Sequence, residues 1–177
     1  MSPVHPNPVN PRSVNVRPAI PADISGMVAL ERACPAAAHL TEGQYGQAVC
    51  PGRGDVERLV LVTEAPLTAV AEGERGQGSG SGILGFLVAR HLAPEWELEN
   101  IVVAPAARRT GLGRQLVDAL LAAARERDSE SMFLEVRESN TAARRLYETA
   151  GFQPTGRRKS YYRDPPEDAI LYRRTPV

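Results

Sequence analysis

A turn with three arginines and two glycines follows a predicted buried strand in the second half of this sequence. Residues 108–114 read ArgArgThrGlyLeuGlyArg. The first amides of a helix have no partner within it, the helix dipole is positive there, and glycine lets a phosphate approach the backbone. Arginine adds charge-assisted hydrogen bonds. The turn therefore predicts a phosphate or pyrophosphate site, and the alternative is an ordinary strand-to-helix turn with solvated arginines.

Two other phosphate-binding patterns do not fit this turn. It lacks the Gly-Lys-Ser/Thr ending of a P-loop. It also lacks the third glycine and the early position in the chain that are typical of a dinucleotide-binding fingerprint. The anion site is therefore of another kind.

The elements that position this turn follow from hydrophobic periodicity. GluTrpGluLeuGlu alternates polar and apolar residues before IleValVal, which is typical of a strand entering a core. Leucines at helical spacing predict an amphipathic helix over 111–127. The other predicted elements are a strand at 14–20, a helix at 24–32 capped by Asp23, a helix at 41–49, strands at 59–65, 83–92 and 131–137, a helix at 140–150, and two closing strands around Tyr161 and 169–173.

Length and composition predict one soluble domain. The chain has 177 residues, the usual size of a single domain. Proline at four of the first eleven positions predicts a disordered arm over 1–13, followed by a single domain at 14–177, and the Gly/Ser-rich tract 72–82 predicts a hairpin loop. No apolar run approaches the roughly 20 residues of a membrane helix, and no export or transit signal is visible. We expect a cytoplasmic protein, a monomer or weak dimer, without a metal site because its two cysteines and three histidines are scattered.

The charge is balanced overall but divided along the chain. Lys plus Arg and Asp plus Glu are each 21, so the net charge is 0 and a polyanion partner such as nucleic acid is not expected. Residues 1–107 carry 7 basic and 11 acidic side chains, and residues 108–177 carry 14 and 10. This division predicts an anion site in the second half and an acidic surface, around Glu95, Glu97 and Glu99, in the first.

Two motifs in order resemble the GNAT superfamily of acetyl-coenzyme A dependent N-acetyltransferases. Residues 108–114 resemble its pyrophosphate loop, Arg/Gln-x-x-Gly-x-Gly, and GluValArgGluSerAsnThrAlaAlaArgArgLeuTyrGluThrAlaGlyPhe, at 135–152, resembles its second signature. Within the superfamily, residues 95–175 are similar to the ribosomal-protein alanine N-terminal acetyltransferases. The resemblance implies an α+β fold: a mixed seven-stranded twisted sheet, about four helices and a V-shaped split between two parallel strands.

The resemblance also implies a site for acetyl-CoA, the acetyl donor, between the strands at 97–103 and 131–137. The pantetheine arm is expected on the backbone of Ile101, Val102 and Val103, and Asn140 is expected to reach it. Asn140 is equally a favoured N-cap, and both roles can hold. The expected pyrophosphate loop consists of Arg108, Arg109, Thr110, Gly111, Leu112, Gly113 and Arg114.

Acetyl transfer to an amine needs a proton acceptor for the ammonium and a proton donor for the thiolate. The resemblance assigns the first role to Glu135 and the second to Tyr147, whose phenol has an ordinary pKa of about 10. The alternatives are that Glu135 pairs with a neighbouring arginine and that Tyr147 is a core aromatic residue. Glu97 and Glu99 are rival bases, because strict alternation places them on the face of Ile101 and Val103.

Residues around the cleft are candidates for binding the acceptor. An alternative role for Glu97 and Glu99 is to hold its positive amine, and Tyr161 and Tyr162 match an aromatic pair that lines the acceptor channel in similar enzymes. Strand alternation predicts that only one of these two tyrosines points inward. The basic run 157–159 lacks interleaved stacking residues and predicts a solvated turn, with no direct contact to nucleic acid.

We therefore expect an acyltransferase that acetylates the α-amine of a protein or peptide N-terminus by direct attack in a ternary complex. A ribosomal protein is among the candidate acceptors. The first 90 residues carry little of the resemblance, so a lysine or small-amine acetyltransferase on the same scaffold is the alternative. A third interpretation is a non-catalytic acyl-CoA-binding domain. The presence of Glu135, Asn140 and Tyr147 together argues against it.

Overall fold

A computed structural model describes residues 15–34, 40–53, 56–64 and 82–177. The predicted order of helices and strands is confirmed within these ranges. The arm at 1–13 and nearly all of the tract at 72–82 lie outside them. The elements are β1 (Asn15–Pro18), α1 (Ile24–Arg32), α2 (Glu42–Val49), β2 (Arg58–Glu64), β3 (Ile83–Leu92), β4 (Glu95–Val103), α3 (Leu112–Arg125), β5 (Ser131–Arg137), α4 (Thr141–Thr149), β6 (Gln153–Arg163) and β7 (Pro166–Arg174).

The strands form one mixed seven-stranded sheet, in the order β1-β2-β3-β4-β5-β7-β6. All neighbouring pairs are antiparallel except β4 and β5, which run parallel because α3 connects them. The two halves of the chain thus meet at the centre of the sheet. The expected sheet composition and the four helices are confirmed.

Each face of the sheet has its own apolar core. On one face, α3 and α4 cover Trp96, Leu98 and Leu134. On the other, α1 and α2 cover Val60, Phe86 and their neighbours, with Met27 and Tyr45 facing the sheet. Full burial of a leucine- or phenylalanine-sized side chain stabilises a fold by about 1.5–3 kcal/mol, so these clusters fix where the strands lie.

Asp23 does not cap α1 with its side chain, contrary to the prediction. It lies in a short 3-10 turn at Pro21–Asp23, where its carboxylate accepts a hydrogen bond from the amide of Ile20 at 2.8 Å. The same carboxylate forms an ion pair with Arg17 at 2.7 Å. Asp23 therefore connects β1 to the turn that starts α1.

An extra residue bends β4 in its middle. Val88 of β3 pairs with Asn100, and Ala89 pairs with Leu98, so Glu99 has no opposite residue in the ladder. Such a bulge bends its strand and changes which face the following side chains occupy. Strict alternation therefore fails at this point of β4.

Candidate active site

The parallel strands β4 and β5 separate halfway along their length. They pair from Glu95 with Ser131 only as far as Leu98 with Leu134. Beyond that point, β4 keeps β3 as its partner and β5 keeps β7. The bulge at Glu99 bends β4 at the place where the pairing ends. The result is a V-shaped gap in the sheet between 99–103 and 135–137.

Backbone polar groups on both sides face this gap. The amide of Ala104 donates to Leu84 at 2.8 Å, and bonded pairs alternate in an antiparallel ladder. Val102 therefore directs its backbone groups to β3, and Ile101 and Val103 direct theirs to the gap. On β5, the amide of Glu138 donates to the carbonyl of Asp168 on the β7 side, at 3.1 Å. By the same alternation, the backbone groups of residues 135 and 137 face the gap. Such a gap can take an extended polar ligand as if it were another strand.

The loop that leaves β4 presents a run of free amides at the mouth of the gap. Arg109 has φ 62 and Gly111 has φ 92, both in the left-handed region. The first helical hydrogen bond of α3 runs from Gln115 to Gly111, at 3.0 Å. The amides of 109–114 donate to no described group. Free amides at a helix start are the anion-binding feature that the sequence predicted.

The three arginines of this loop have different surroundings. The Nε atom of Arg108 donates to the carbonyl of Val103 at 3.2 Å. Arg114 forms an ion pair with Asp118 at 2.8 Å and donates to the carbonyl of Thr149 at 2.9 Å. Arg109 has no ion pair with a described residue. Of the three side chains, that of Arg109 is the one not engaged within the described protein.

The remaining loop residues are fixed from below. The hydroxyl of Thr110 donates to the carbonyl of Ala107 at 2.7 Å, and Leu112 is buried in the chain's core. A Cβ atom added to Gly113 would lie 3.2 Å from Cδ2 of Leu146. The start of α3 therefore packs against α4 at a distance that suits glycine.

Asn140 caps α4, as predicted for its structural role. Its Oδ1 atom accepts a hydrogen bond from the amide of Ala143 at 3.2 Å. This bond fixes the side chain beside the end of β5, at the entrance to the gap. An N-cap of this kind stabilises a helix by about 1 kcal/mol.

Tyr147 lies inside the core between α4 and the sheet. Its ring centroid is 6.0 Å from that of Phe152 and 6.3 Å from that of Tyr172. Its hydroxyl forms no hydrogen bond with a described residue. Burial raises the pKa of Tyr147 above its ordinary value. The phenol is therefore a neutral proton donor throughout the physiological pH range.

Glu135 lies on the opposite face of the sheet from Tyr147. Its neighbours Leu134 and Val136 point into the core that contains Tyr147, so alternation turns Glu135 away from it. The carboxylate forms an ion pair with Arg158 at 2.8 Å, and it borders a cavity of about 270 Å³. The gap between β4 and β5 is consequently the route by which both side chains can reach one ligand.

Glu97 and Glu99 lie on the α1/α2 face, whereas Ile101 and Val103 pack against the α3/α4 core. The prediction that all four share a face was wrong, because the bulge shifts the alternation. The glutamates are also paired: Glu97 with Arg90, and Glu99 with Arg58 at 2.9 Å.

Glu95 likewise pairs with Arg173. The three glutamates predicted to give this surface an acidic character are therefore each neutralised by an arginine. The excess of acidic residues in the first half of the sequence therefore does not produce an acidic surface around Glu95, Glu97 and Glu99.

Tyr161 and Tyr162 both interact electrostatically with Glu135, and they differ in burial, because Tyr161 is 47% exposed and Tyr162 is half-buried. The register of β6 shifts between Arg158 and Tyr162, and Ser160 has φ 50. Hydrogen bonding to Glu135 raises the pKa of Tyr161. Burial raises the pKa of Tyr162. The two rings are 5.2 Å apart, so they form one aromatic surface beside the carboxylate.

A buried polar cluster beneath the bulge was missed at the level of sequence. The amide nitrogen of Asn100 donates to Glu31 at 2.8 Å and to the hydroxyl of Tyr45 at 3.3 Å. Two signals could have found it: Glu31 follows Met27 and Val28 at helical spacing on the apolar side of α1, and Asn100 interrupts an apolar strand. The cluster holds α1 and α2 against the bent part of β4.

Residues 15–34, 40–53, 56–64 and 82–177 contain no cluster of His, Cys, Asp and Glu that could hold a metal ion. Within the same ranges no helix is long and apolar enough to cross a membrane.

Comparison with known proteins gives one family and one fold. A sequence model of the acetyltransferase (GNAT) family matches residues 58–152. The chain is 41% identical over 88 residues to the [ribosomal protein bS18]-alanine N-acetyltransferase of Escherichia coli strain K12, an alignment that covers 49% of this chain and 60% of that protein. The chain thus spans less than two thirds of the length of this curated relative.

Two solved structures extend the likeness over nearly the whole chain. The ribosomal-protein-S18-alanine N-acetyltransferase from Escherichia coli superposes with a TM-score of 0.70 at 26% identity, covering 92% of this chain and 93% of that one. Arabidopsis thaliana NAA60 in complex with acetyl-CoA gives a TM-score of 0.75 at 15% identity, covering 93% and 99%, and shares the fold.

Proposed function

The chain belongs to the acetyltransferase (GNAT) family, and from that premise we propose that it transfers the acetyl group of acetyl-CoA to the α-amine of a protein or peptide N-terminus. One observation carries the proposal: the gap between β4 and β5 opens directly onto the free amides of 109–114. An extended arm and a pyrophosphate at its end are the two parts of a ligand that such a site accommodates. Acetyl-CoA has both parts, and it supplies an activated thioester.

The residues fit this donor part by part. The backbone of Ile101 and the amide of Val103 are available to the pantetheine arm, whereas the Val103 carbonyl accepts from Arg108 and Val102 turns to β3. The amides of 109–114, with the side chain of Arg109, suit the pyrophosphate. Asn140 is held as the N-cap of α4, and we assign it a contact with the same arm.

The acceptor amine arrives mainly protonated, because an α-ammonium has a pKa of about 7.7–8.0. In the proposed mechanism Glu135 accepts this proton, directly or through one water. The amine nitrogen then attacks the thioester carbonyl carbon, and the carbon–sulfur bond breaks. Tyr147 donates its phenolic proton to the departing sulfur from the other side of the sheet. The second proton leaves the acylated nitrogen to solvent, and solvent returns a proton to the phenolate of Tyr147. We assign a backbone amide at the end of β4 the role of stabilising charge on the carbonyl oxygen.

A protein N-terminus is favoured as acceptor by the surface beside Glu135. Tyr161 and Tyr162 present aromatic faces next to the carboxylate, and β6 and β7 leave a cavity of about 270 Å³ on this side. The names of the relatives point to a ribosomal protein that begins with alanine. We place the reaction in a ternary complex, because the described site offers an acid and a base on either side of the gap.

The test is turnover of acetyl-CoA with a panel of acceptors. Short peptides that begin with alanine, serine or methionine are compared with N-terminally blocked peptides containing lysine, with free lysine and with polyamines. Acetylation of free N-termini supports the proposal. Reaction with blocked lysine peptides alone would identify a lysine acetyltransferase, and binding of acetyl-CoA without turnover of any acceptor would identify a non-catalytic domain.

A further inference from the structure

The proposed base already holds a cation in the absence of an acceptor. The Nη1 atom of Arg158 lies 2.8 Å from Oε1 of Glu135. The two partners differ in exposure, because the side chain of Glu135 is 18% exposed and that of Arg158 is 54% exposed. The carboxylate is thus the more buried partner, and the guanidinium is the partner that can leave the ion pair and be solvated by water.

Arg158 reaches Glu135 across an intervening strand. It lies on β6 opposite Ala169 of β7, and Glu135 lies on β5 opposite Leu171 of β7. Ala169 ends in a methyl group, so a long side chain can cross β7 at this point. Nothing in the β-ladders requires the contact, because the backbone pairs remain the same wherever the guanidinium lies.

The surroundings of the contact suit a cation in general. The guanidinium carbon of Arg158 is 5.4 Å from the ring centroid of Tyr161, and hydrogen bonding to Glu135 raises the pKa of that tyrosine. A carboxylate beside an aromatic face is a binding site for ammonium and guanidinium groups. Two other cations of this region are directed elsewhere. Arg137 lies 4.1 Å above the ring of Tyr162 and pairs with Glu167 at 3.3 Å, and Arg173 pairs with Glu95.

We propose that Arg158 is an internal competitor for the acceptor, whose guanidinium occupies the position at Glu135 that the acceptor's ammonium takes. The inference rests on the proposed function, because it assigns the contact a role in acceptor binding. An incoming ammonium displaces the guanidinium, and Glu135 then has the proton it must remove within reach. An uncharged ligand cannot replace the guanidinium at the carboxylate, so Arg158 selects for acceptors that arrive as cations.

The size of the effect follows from the exposure of the pair. A partly exposed ion pair stabilises the paired state by up to about 1 kcal/mol. The acceptor binds only to molecules in which Arg158 has left Glu135, so its apparent affinity is reduced in proportion to the fraction of such molecules. Removal of Arg158 is therefore expected to tighten acceptor binding about fivefold. It should leave acetyl-CoA binding unchanged, because Arg158 is not among the residues of the gap or the amide loop.

The experiment compares R158Q with wild type and with K159A, a control that removes a neighbouring positive charge with no described ion pair. Acceptor and acetyl-CoA KM values are measured separately, with R158K as the conservative variant. Binding of a short peptide beginning with alanine, and of the same peptide with an acetylated N-terminus, is measured by calorimetry. The binding arm needs no turnover, so it remains decisive if the proposed function fails.

For R158Q we expect a lower acceptor KM and tighter binding of the free peptide, with the acetyl-CoA KM and blocked-peptide binding at wild-type values. R158K should resemble the wild type. An acceptor KM or peptide affinity for R158Q that is unchanged or weaker would overturn the inference, as would an equal gain in K159A. Failure to acetylate any amine, with R158Q still binding the free peptide more tightly, would reject the proposed function and leave the cation site standing.

Discussion

The side chain of Arg108 donates a hydrogen bond from Nε to the carbonyl oxygen of Val103, at 3.2 Å. This bond joins the first residue of the predicted pyrophosphate loop to the last residue of β4. An arginine that the sequence offers as a phosphate ligand therefore holds the loop against the strand. We therefore propose its neighbour Arg109, whose side chain is not engaged with described residues, as the free phosphate ligand.

We predict different effects for the two neighbours. R109A should raise the KM for acetyl-CoA about tenfold with kcat nearly unchanged, because a charge-assisted hydrogen bond is worth about 1.5 kcal/mol. R108A should change both KM and kcat, because the end of β4 moves with the loop. Steady-state kinetics with varied acetyl-CoA separates them. R114A, whose side chain is engaged with Asp118 and Thr149, is the matched comparison. An equal rise in KM for R109A and R114A would contradict the assignment.

Y147F should lower kcat about 100-fold or more, the usual contribution of a general acid, without changing acetyl-CoA affinity. Because burial raises the pKa of Tyr147, its phenol stays protonated above pH ~10, and wild-type kcat should show no alkaline fall from this group. Y172F removes a neighbouring hydroxyl that donates to Glu148 at 2.6 Å, and it should reduce stability by about 1 kcal/mol but not kcat. Wild-type turnover in Y147F would remove Tyr147 from the mechanism.

E135Q should lose activity in a pH-dependent manner. Below the α-amine pKa of about 8 the acceptor needs a base, so kcat/KM should fall about 100-fold or more, and the loss should shrink as pH rises past that value. Profiles of kcat/KM against pH for the wild type, E135Q and E99Q decide between the candidate bases. A pH-dependent loss in E99Q alone would make Glu99 the base, whereas a uniform loss in E135Q would indicate a positioning role.

G111A should destabilise the protein and weaken acetyl-CoA binding. Gly111 has φ 92 and nothing within 4 Å of an added Cβ, so the cost is backbone strain, about 1–2 kcal/mol. Thermal unfolding and the KM for acetyl-CoA measure the two effects. G43A on α2, which also has nothing within 4 Å but lies in a helix, should instead stabilise by about 0.5–1 kcal/mol. Equal stability changes for both variants would refute the strain argument.

D23N should lower the free energy of unfolding near neutral pH and remove part of its dependence on pH. The hydrogen bond from Arg17 lowers the pKa of Asp23, so the stabilisation is complete above the unfolded value of about 3.9 and disappears as the pH falls through the folded value. At pH ~7 we expect a loss of about 2 kcal/mol, which shrinks below pH ~4. Urea unfolding across pH measures it. E64Q, on the exposed partner of Arg17, should cost less than about 1 kcal/mol.

Most elements of the fold and several site residues were open to prediction because their signals are local. Helical spacing of leucines identifies α3, and the turn after β4 is recognisable by its glycines and arginines. The Asn140 cap needs only the residues that follow it in the chain. Glu135, Asn140 and Tyr147 could be named because two motifs resemble a known family, although their roles remain proposals.

The faces of the side chains could not be predicted where a strand is irregular. One extra residue at Glu99 reverses the alternation of β4, and the register of β6 shifts between Arg158 and Tyr162. A bulge depends on pairing with the neighbouring strand, which lies far away in the sequence. The ion pairs of Glu95, Glu97 and Glu99 depend on the same register.

The sequence alone determined the order of the elements, the position of the candidate anion-binding turn and the presence of the residue types that acid–base chemistry requires. The zero net charge and the uneven distribution of charge between the two halves of the chain were also evident from the sequence. The tertiary structure decided which charges meet: it paired Glu95, Glu97 and Glu99 of β4 with arginines, and it placed Arg158 on Glu135. The physical reason is range, because periodicity and capping act within a few residues, whereas ion pairing and the face of a strand depend on partners brought together by the sheet.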